Sequence, residues 1–549
     1  MEERNMTQSR WSIGLARWCV LASLVFSGSC GSALAQSFIH PGILHTQADF
    51  VRMAQKVNAN EAPYVSSYNL LINSSEAQLS WTPRATATVI RGGTGDNVSL
   101  LYRDVQAAYQ HALIYKITGN TAHGNKARDI LNAWSSTHTV LTGNADRYLA
   151  SGLFGYQFAN AAEMMRGYSG FNVGAFQNYL LNVYYYPLVE RFLVGNSQGA
   201  DHNDACITNY WANWDLANMA AMIAIGVFTD NRGIYNRGIE YFKNGAGNGS
   251  IRHAVPFVHS STLGQWQESG RDQGHSILGV GLMASFAEIA WNQGDDMYGY
   301  DDSRFRKGAE YVARYNLGQS VPYTLYSWGS GQNCAYNEQP GISPAGRGEL
   351  RAIWEMIYNH YANRTGQASL IPSIAAQAQQ MRPEGGPGGH ATTYDQPGFG
   401  SLTHYGDVGS GPVPVGVRWE SFNFLNYFIR HQNNVGRIDQ NVSPVADGHW
   451  KMVSGLANAS GVSFESVNFP GQYLRHYNYQ LTLGSVSNST QQADATFYKR
   501  NGLANGSWVS FESFNFPGYY IRHVNYVLKI DPISGTTAQQ DATFREIGN

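Results

Sequence analysis

Charge is scarce in this chain. Asp, Glu, Lys and Arg make up 14 % of its 549 residues, and 37 basic residues stand against 39 acidic ones. With no basic excess to neutralise phosphates, the composition argues against a nucleic-acid binder. The 43 % of hydrophobic residues excludes a disordered chain. Cysteine is nearly absent: of four residues, Cys19 and Cys30 fall in the N-terminal segment, leaving Cys206 and Cys334. Two are too few for a structural zinc site. The sequence also lacks a His-Glu-x-x-His zinc motif, a Gly-x-Ser-x-Gly elbow and a P-loop. No metal or cofactor is therefore expected. After the first residues there is no uninterrupted apolar run of about 18, the length a membrane span needs. What the chain does have is aromatic surface, with 34 Tyr and 13 Trp. Sugar rings stack on such faces, although an aromatic-rich core has the same composition.

The N-terminus reads as a processing signal. Arg10 and Arg17 precede an apolar run from Trp18 to Phe26, and Ala33-Leu34-Ala35 is an A-x-A cleavage pattern. Residues 1–35 are expected to be removed, giving a secreted protein, extracellular or periplasmic. Export makes a Cys206–Cys334 disulfide chemically possible. The sequence leaves open whether the two cysteines meet.

The remainder divides in two. From about residue 40 to 370, apolar residues recur at three- and four-residue spacing, as in Val105–Gly119, Trp214–Phe228 and Gly279–Trp291. Many helices separated by Gly-rich loops predict a helical toroid or solenoid over 36–408, with a dispersed bundle as the alternative. A Gly- and Pro-rich end at 409–415 reads as a linker. Residues 416–549 contain an internal repeat. Phe-Glu-Ser-x-Asn-Phe leads to Tyr-[Ile/Leu]-Arg-His at 464–476 and 511–523, and Trp419-Glu-Ser-Phe-Asn-Phe leads to Phe428-Ile-Arg-His431. Asp-Ala-Thr-Phe follows at 494–497 and 541–544, and Asp447-Gly-His-Trp stands in its place in the first copy. Three β-rich copies of roughly 45 residues predict a β-trefoil. The expected fold is thus multidomain, an all-α (α/α) toroid followed by an all-β β-trefoil.

These repeated elements resemble the arabinofuranose-binding module of carbohydrate-binding family 42, which closes many arabinofuranosidases. The resemblance implies that a His and an Asp of each copy bind a furanose side chain: His431 with Asp447, His476 with Asp494, and His523 with Asp541. The first copy departs most from the pattern. By themselves these residues also read as a consensus that braces turns.

Two segments of the N-terminal part concentrate polar groups ahead of apolar helices. Gly264–His275 (GQWQESGRDQGH) carries Glu268, Arg271, Asp272, Gln273 and His275. Residues 201–215 carry His202, Asn209, Tyr210, Trp211, Asn213 and Asp215. Periodicity alone favours a buried polar network that ties helices together. The runs TNYWANWDLANMAAMIAIGVFTD, QWQESGRDQGH and AEIAWNQGDDMYGYDDSRF, in that order, resemble the alginate lyase superfamily, nearest to its secreted, family 38-like branch.

That resemblance implies β-elimination on a uronic-acid polymer such as alginate or glucuronan. The reaction needs a neutralised carboxylate, a base at the C5 proton and an acid at the leaving O4. It implies Asn213 and Arg271 as carboxylate neutralisers, His275 as base and Tyr210 as acid. His202 is a second candidate base, Glu268 orients its neighbours, and Gln273, Trp211, Asn209 and Tyr156 contact substrate. Thr208-Asn209 replaces the Asn-His pair of the better-known members, so acid and base are open to redistribution. The expected partners are a uronate polysaccharide and arabinofuranosyl side chains. A paired-carboxylate hydrolase using Glu268 and Asp272 is the enzymatic alternative, and a non-catalytic glycan binder is the other.

Overall fold

Two kinds of helix build the first part of the chain. Gln47–Asn58, Thr121–Thr137 and Arg232–Asn244 bury one face and leave the other in water. Asp146–Met164, Ala212–Phe228 and Gln273–Asn292 are apolar nearly all round and buried nearly throughout. Helices of the second kind must lie inside helices of the first. Gly152 lets two of them meet: a Cβ there would stand 2.6 Å from the Ala217 backbone. This computed structural model describes residues 38–194, 202–387, 394–407 and 416–547, apart from 441, 443, 444, 468 and 470. The expected leader at 1–35 and linker at 409–415 lie outside the described residues.

Three short strand pairs interrupt the helices. Thr88–Arg91 runs parallel to Val140–Gly143 and ends on Arg91. Phe257–Val258 pairs with Gly264–Gln265, directly ahead of the Glu268 loop. Tyr326–Ser330 and Ala335–Gln339 form a hairpin. No strand alternation marks these pairs in the sequence, because each is only two to five residues long.

Residues 418–547 form a twelve-stranded antiparallel sheet with four strands per sequence repeat. The last strand of each repeat pairs with the first strand of the next: Trp450–Ser454 with Val462–Ser466, and Phe497–Asn501 with Val509–Ser513. Phe544–Ile547 returns to Arg418–Ser421 and closes the ring. The two middle strands of each repeat form a hairpin, and the three hairpins touch one another at Val435, Thr482, Gln480, Lys529, Val527 and Arg437. Each first and last strand points one aromatic inward. Trp419, Phe464 and Phe511 meet one another, Trp450 and Phe497 pack on Phe464, and these five and Phe544 are fully buried. The sheet thereby repeats the threefold pattern of the sequence and leaves no unpaired edge in the ring.

Candidate functional site

The two polar segments meet at the N-terminal ends of two inner helices. Asn213 is the second residue of Ala212–Phe228, and His275 is the third of Gln273–Asn292. Asp272 caps the latter, accepting from the His275 backbone N–H at 2.8 Å. The same carboxylate accepts from His275 Nδ1 at 2.8 Å. Arg271 Nη2 stands 3.0 Å from His275 Nε2. A guanidinium only donates, so Nε2 is the accepting nitrogen and Nδ1 carries the proton. The imidazole is thus oriented with its lone pair toward Arg271.

Behind them, Glu268 is completely buried. Its Oε1 accepts from Asn213 Nδ2 at 2.5 Å and from Arg271 Nη1 at 3.2 Å. Burial pushes the Glu268 carboxyl up to about 7, against the opposing pull of Arg271 and His275. Glu268 Oε2 and Asn213 Oδ1 are buried without hydrogen-bond partners. Gly270 is required at the turn, since a Cβ there would lie 2.4 Å from both Gln339 Oε1 and the Tyr323 hydroxyl. Beside His275 a cavity of about 240 Å³ is lined by Arg91, Asp272, Glu349, Arg351 and Asp395. Arg351 pairs with Asp395 at 2.7 Å and Glu349 at 3.2 Å. Arg91 keeps one buried guanidinium nitrogen, Nη1, without a partner.

The structure therefore joins Asn213, Glu268, Arg271 and His275 in one hydrogen-bonded chain, with Trp211 under the Arg271 guanidinium at 5.3 Å. Tyr210 is half-buried, and its hydroxyl oxygen accepts from Asn203 Nδ2 at 3.0 Å, leaving its own proton free to be donated. Asn209 Oδ1 is occupied by the Gly331 N–H at 2.7 Å.

Three of the expected site residues are turned into the interior. Gln273 is buried, and its amide is spent on Ser269 O, Ser343 O and Asn316, so it does not face a substrate. His202 is also fully buried, with Nε2 held 2.9 Å from Asp215, which in turn binds Tyr241 and the Gly249 N–H. Its Nδ1 is buried without a hydrogen-bond partner. Tyr156 lies in the core, donating to Asp395 O at 2.8 Å. Arg91 and Arg351 were missed because each comes from a distant segment with no motif of its own. Asp272, named in the sequence among the polar residues and as the partner of Glu268 in the hydrolase alternative, forms the cap that holds His275.

The barrel carries three related clefts, each built across a repeat boundary. His523 Nε2 lies 3.0 Å from Asn423 Oδ1, and Asn423 Nδ2 donates to Asp541 at 2.7 Å. Phe424, Tyr427 and Tyr526 form its wall, the two tyrosines stacked at 5.6 Å. His476 repeats this with Asn515 at 2.9 Å, and Asn515 with Asp494 at 2.8 Å. There the wall is Phe516, Tyr519 and Tyr479. The His431 cleft keeps Phe469 and the acidic partner Asp447, 3.6 Å away. Asn434 and Gln472 occupy the positions of the two stacked tyrosines. Asp447 is also held in an ion pair with Arg430.

A helical domain with a buried carboxyl–guanidinium–imidazole chain, followed by a threefold antiparallel barrel with aromatic clefts, defines a two-part architecture. Comparison with known proteins divides at the same place. Residues 54–321 match the family model described as alginate lyase, and residues 417–546 match the alpha-L-arabinofuranosidase B (ABFB) domain. Among curated proteins, alpha-L-arabinofuranosidase B of Aspergillus niger is 36 % identical over 104 residues, covering 18 % of this chain and 21 % of that protein. The match thus spans about a fifth of the relative's length. Solved structures similar to the chain include an alginate lyase from Bacteroides ovatus, with 16 % identity, TM-score 0.44, 61 % of this chain and 96 % of that one. Alginate lyase A1-III from Sphingomonas species A1 gives 14 % identity, TM-score 0.43, 66 % of this chain and 97 % of that one.

Proposed function

We propose that the protein is a secreted polysaccharide lyase that cleaves a uronic-acid polymer by β-elimination. In this reading the helical domain is an (α/α) toroid, and the barrel is a β-trefoil that holds arabinofuranosyl side chains. The observation that carries it is the arrangement of Arg271 and Asn213 on one buried carboxyl, with the His275 Nε2 lone pair 3.0 Å from Arg271.

β-Elimination needs the sugar carboxylate neutralised, because the C5 proton is only weakly acidic beside a full negative charge. Arg271 and Asn213 take the carboxylate. His275 Nε2 removes the C5 proton, with Asp272 stabilising the imidazolium that forms. The C5–H electron pair forms the C4–C5 double bond while the C4–O4 bond breaks. O4 leaves with the proton of the Tyr210 hydroxyl.

Glu268 explains how Arg271 and Asn213 are released to the substrate. An arriving uronate is a second negative charge beside a carboxyl already near 7. Like charges raise such a group further. Glu268 then takes up a proton, loses its hold on both donors, and they pass to the substrate carboxylate. Arg91, with its unpartnered nitrogen on the adjoining cavity, adds positive charge where the polymer continues.

In the barrel, the two clefts with stacked tyrosines are the arabinofuranose sites, where the Asp accepts from sugar hydroxyls and the rings cover the furanose. Tethering raises the polymer's local concentration at the helical site. A uronate polymer that bears arabinose branches satisfies both parts, whereas alginate satisfies only the first.

The test is an ultraviolet absorbance screen, which detects the new double bond conjugated to the carboxylate, over alginate blocks, glucuronan, glucuronoxylan and arabinogalactan. A signal on one polymer that disappears in His275→Ala supports the reading. Cleavage without absorbance replaces it with a hydrolase, and no cleavage with intact arabinan binding replaces it with a glycan-binding protein.

A further inference from the structure

The hairpin Tyr326–Ser330/Ala335–Gln339 is bound to both polar segments of the helical site, and nothing in the elimination chemistry uses it. On one side the Cys206–Cys334 disulfide links it to the segment that leads into the Asn213 helix. Four hydrogen bonds run alongside. The Cys206 N–H donates to Gly331 O at 2.8 Å, and Gly331 N–H donates to Asn209 Oδ1 at 2.7 Å. Thr208 Oγ1 accepts from Gly329 N–H at 3.0 Å and donates to Gly329 O at 2.9 Å. On the other side, the chain after the hairpin meets the Glu268–His275 segment. Ser343 N–H donates to Ser269 O at 2.9 Å, and Gln273 N–H donates to Ala345 O at 2.7 Å.

The arrangement gives Trp328 a fixed place. Its ring lies 4.9 Å from Trp211, and Tyr326 stacks behind it at 6.0 Å. Trp328 and Trp211 are both half-buried, so each keeps part of its surface accessible. Tyr326 is buried, and its hydroxyl accepts from Gln267 at 2.9 Å and donates to Asn248 at 3.3 Å, so it serves as backing rather than surface. Trp211 in turn lies under Arg271, which reaches His275. An accessible aromatic pair is thus continuous with the group proposed to take the substrate carboxylate.

We infer that Trp328, held by the disulfide-anchored hairpin, forms with Trp211 a stacking subsite for a pyranose ring of the uronate polymer next to the ring held by Arg271. The inference rests on the lyase reading of the site. A pyranose fits because the C–H groups of a ring face pack on an indole while its hydroxyls stay at the rim. Thr208 and the disulfide position this subsite, and Asn209 is tied to the same hairpin through its Oδ1.

The test uses the full chain with tetrasaccharides of mannuronate, guluronate and glucuronate, which carry no arabinose and so bypass the barrel. Affinity is read by calorimetry in the His275→Ala background, and turnover by absorbance in the active chain. The expected result is that Trp328→Ala weakens binding of the best-bound tetrasaccharide about 10-fold. KM rises by a similar factor with kcat held within about twofold, and Trp328→Tyr, which keeps a stacking face, recovers most of the loss. Affinity unchanged in Trp328→Ala overturns the subsite while leaving the lyase reading intact. Equal loss in Trp328→Ala and Trp328→Tyr also overturns it, since a purely structural role does not distinguish an aromatic face. Binding that depends on Trp328 without unsaturated product from the wild type keeps the subsite and overturns the lyase reading. No binding of any tetrasaccharide to the wild type overturns both.

Discussion

At the helical site burial pushes a carboxyl, Glu268, up to about 7, whereas in the barrel burial holds an imidazole, His523, below the ordinary range. The physical cause is the same, the cost of a charge away from water, and the direction differs because one group ionises by losing a proton and the other by gaining one. The sites differ in construction too. The helical site is asymmetric and uses each residue once. The barrel repeats one cleft three times across repeat boundaries and varies its aromatic wall, so substitutions there act by degrees.

The sharpest way to separate the two regions is Arg271→Ala. It is expected to lower kcat/KM for elimination roughly 10³-fold, the scale for losing a positioned electrostatic donor, while arabinan binding in affinity electrophoresis stays at the wild-type level. Loss of both together would break the division of labour.

Next is Glu268→Gln. The folded-state carboxyl titrates near 7, above its ordinary 4.5. The stability this contributes is complete below about 4.5 and is lost as pH rises through about 7. Wild type is therefore expected to lose up to about 3 kcal/mol relative to Glu268→Gln between pH 5 and 8, read from denaturant midpoints at each pH. The same variant should abolish the proton uptake that accompanies oligouronate binding near pH 7.5, measured by calorimetry in buffers of different ionisation heat. Equal stability difference at both pH values would remove the special role given to burial.

Smaller effects belong to the barrel. Tyr526→Ala and Tyr479→Ala are each expected to weaken arabinan binding about 10-fold at their own clefts. His431→Ala should change it less than about twofold, because that cleft has Asn434 and Gln472 where the others have tyrosine. A His431→Ala loss equal to that of Tyr526→Ala would make the three clefts equivalent.

Much of this molecule was legible from residue order. The spacing of apolar residues marked the helices, and the recurrent Phe-Glu-Ser and Arg-His elements marked three strand-rich repeats. Arg271 and His275 stood out because so many polar groups directly precede an apolar helix. In the structure Arg271 precedes the helix, and the two meet because the Asp272 cap turns the chain. Gln273 carried the same local signal and went inward instead, since Asn316 and two carbonyls were waiting for its amide. His202 and Tyr156 are likewise turned to buried partners, since polarity in a sequence does not say which way a group faces.

By itself the sequence determined the two-part organisation, the inner helices and the threefold repeat, because these follow from periodicities that a chain carries locally. Tertiary structure alone decided that Asn213 and Arg271 share one carboxyl, that Arg91 and Arg351 reach the same cavity, and that Cys206 and Cys334 close on a hairpin bearing Trp328. It also decided that each barrel cleft joins the His of one repeat to the Asn and Phe of the next. Such contacts join segments up to hundreds of residues apart, and their energy comes from burial and hydrogen-bond satisfaction that no local pattern encodes.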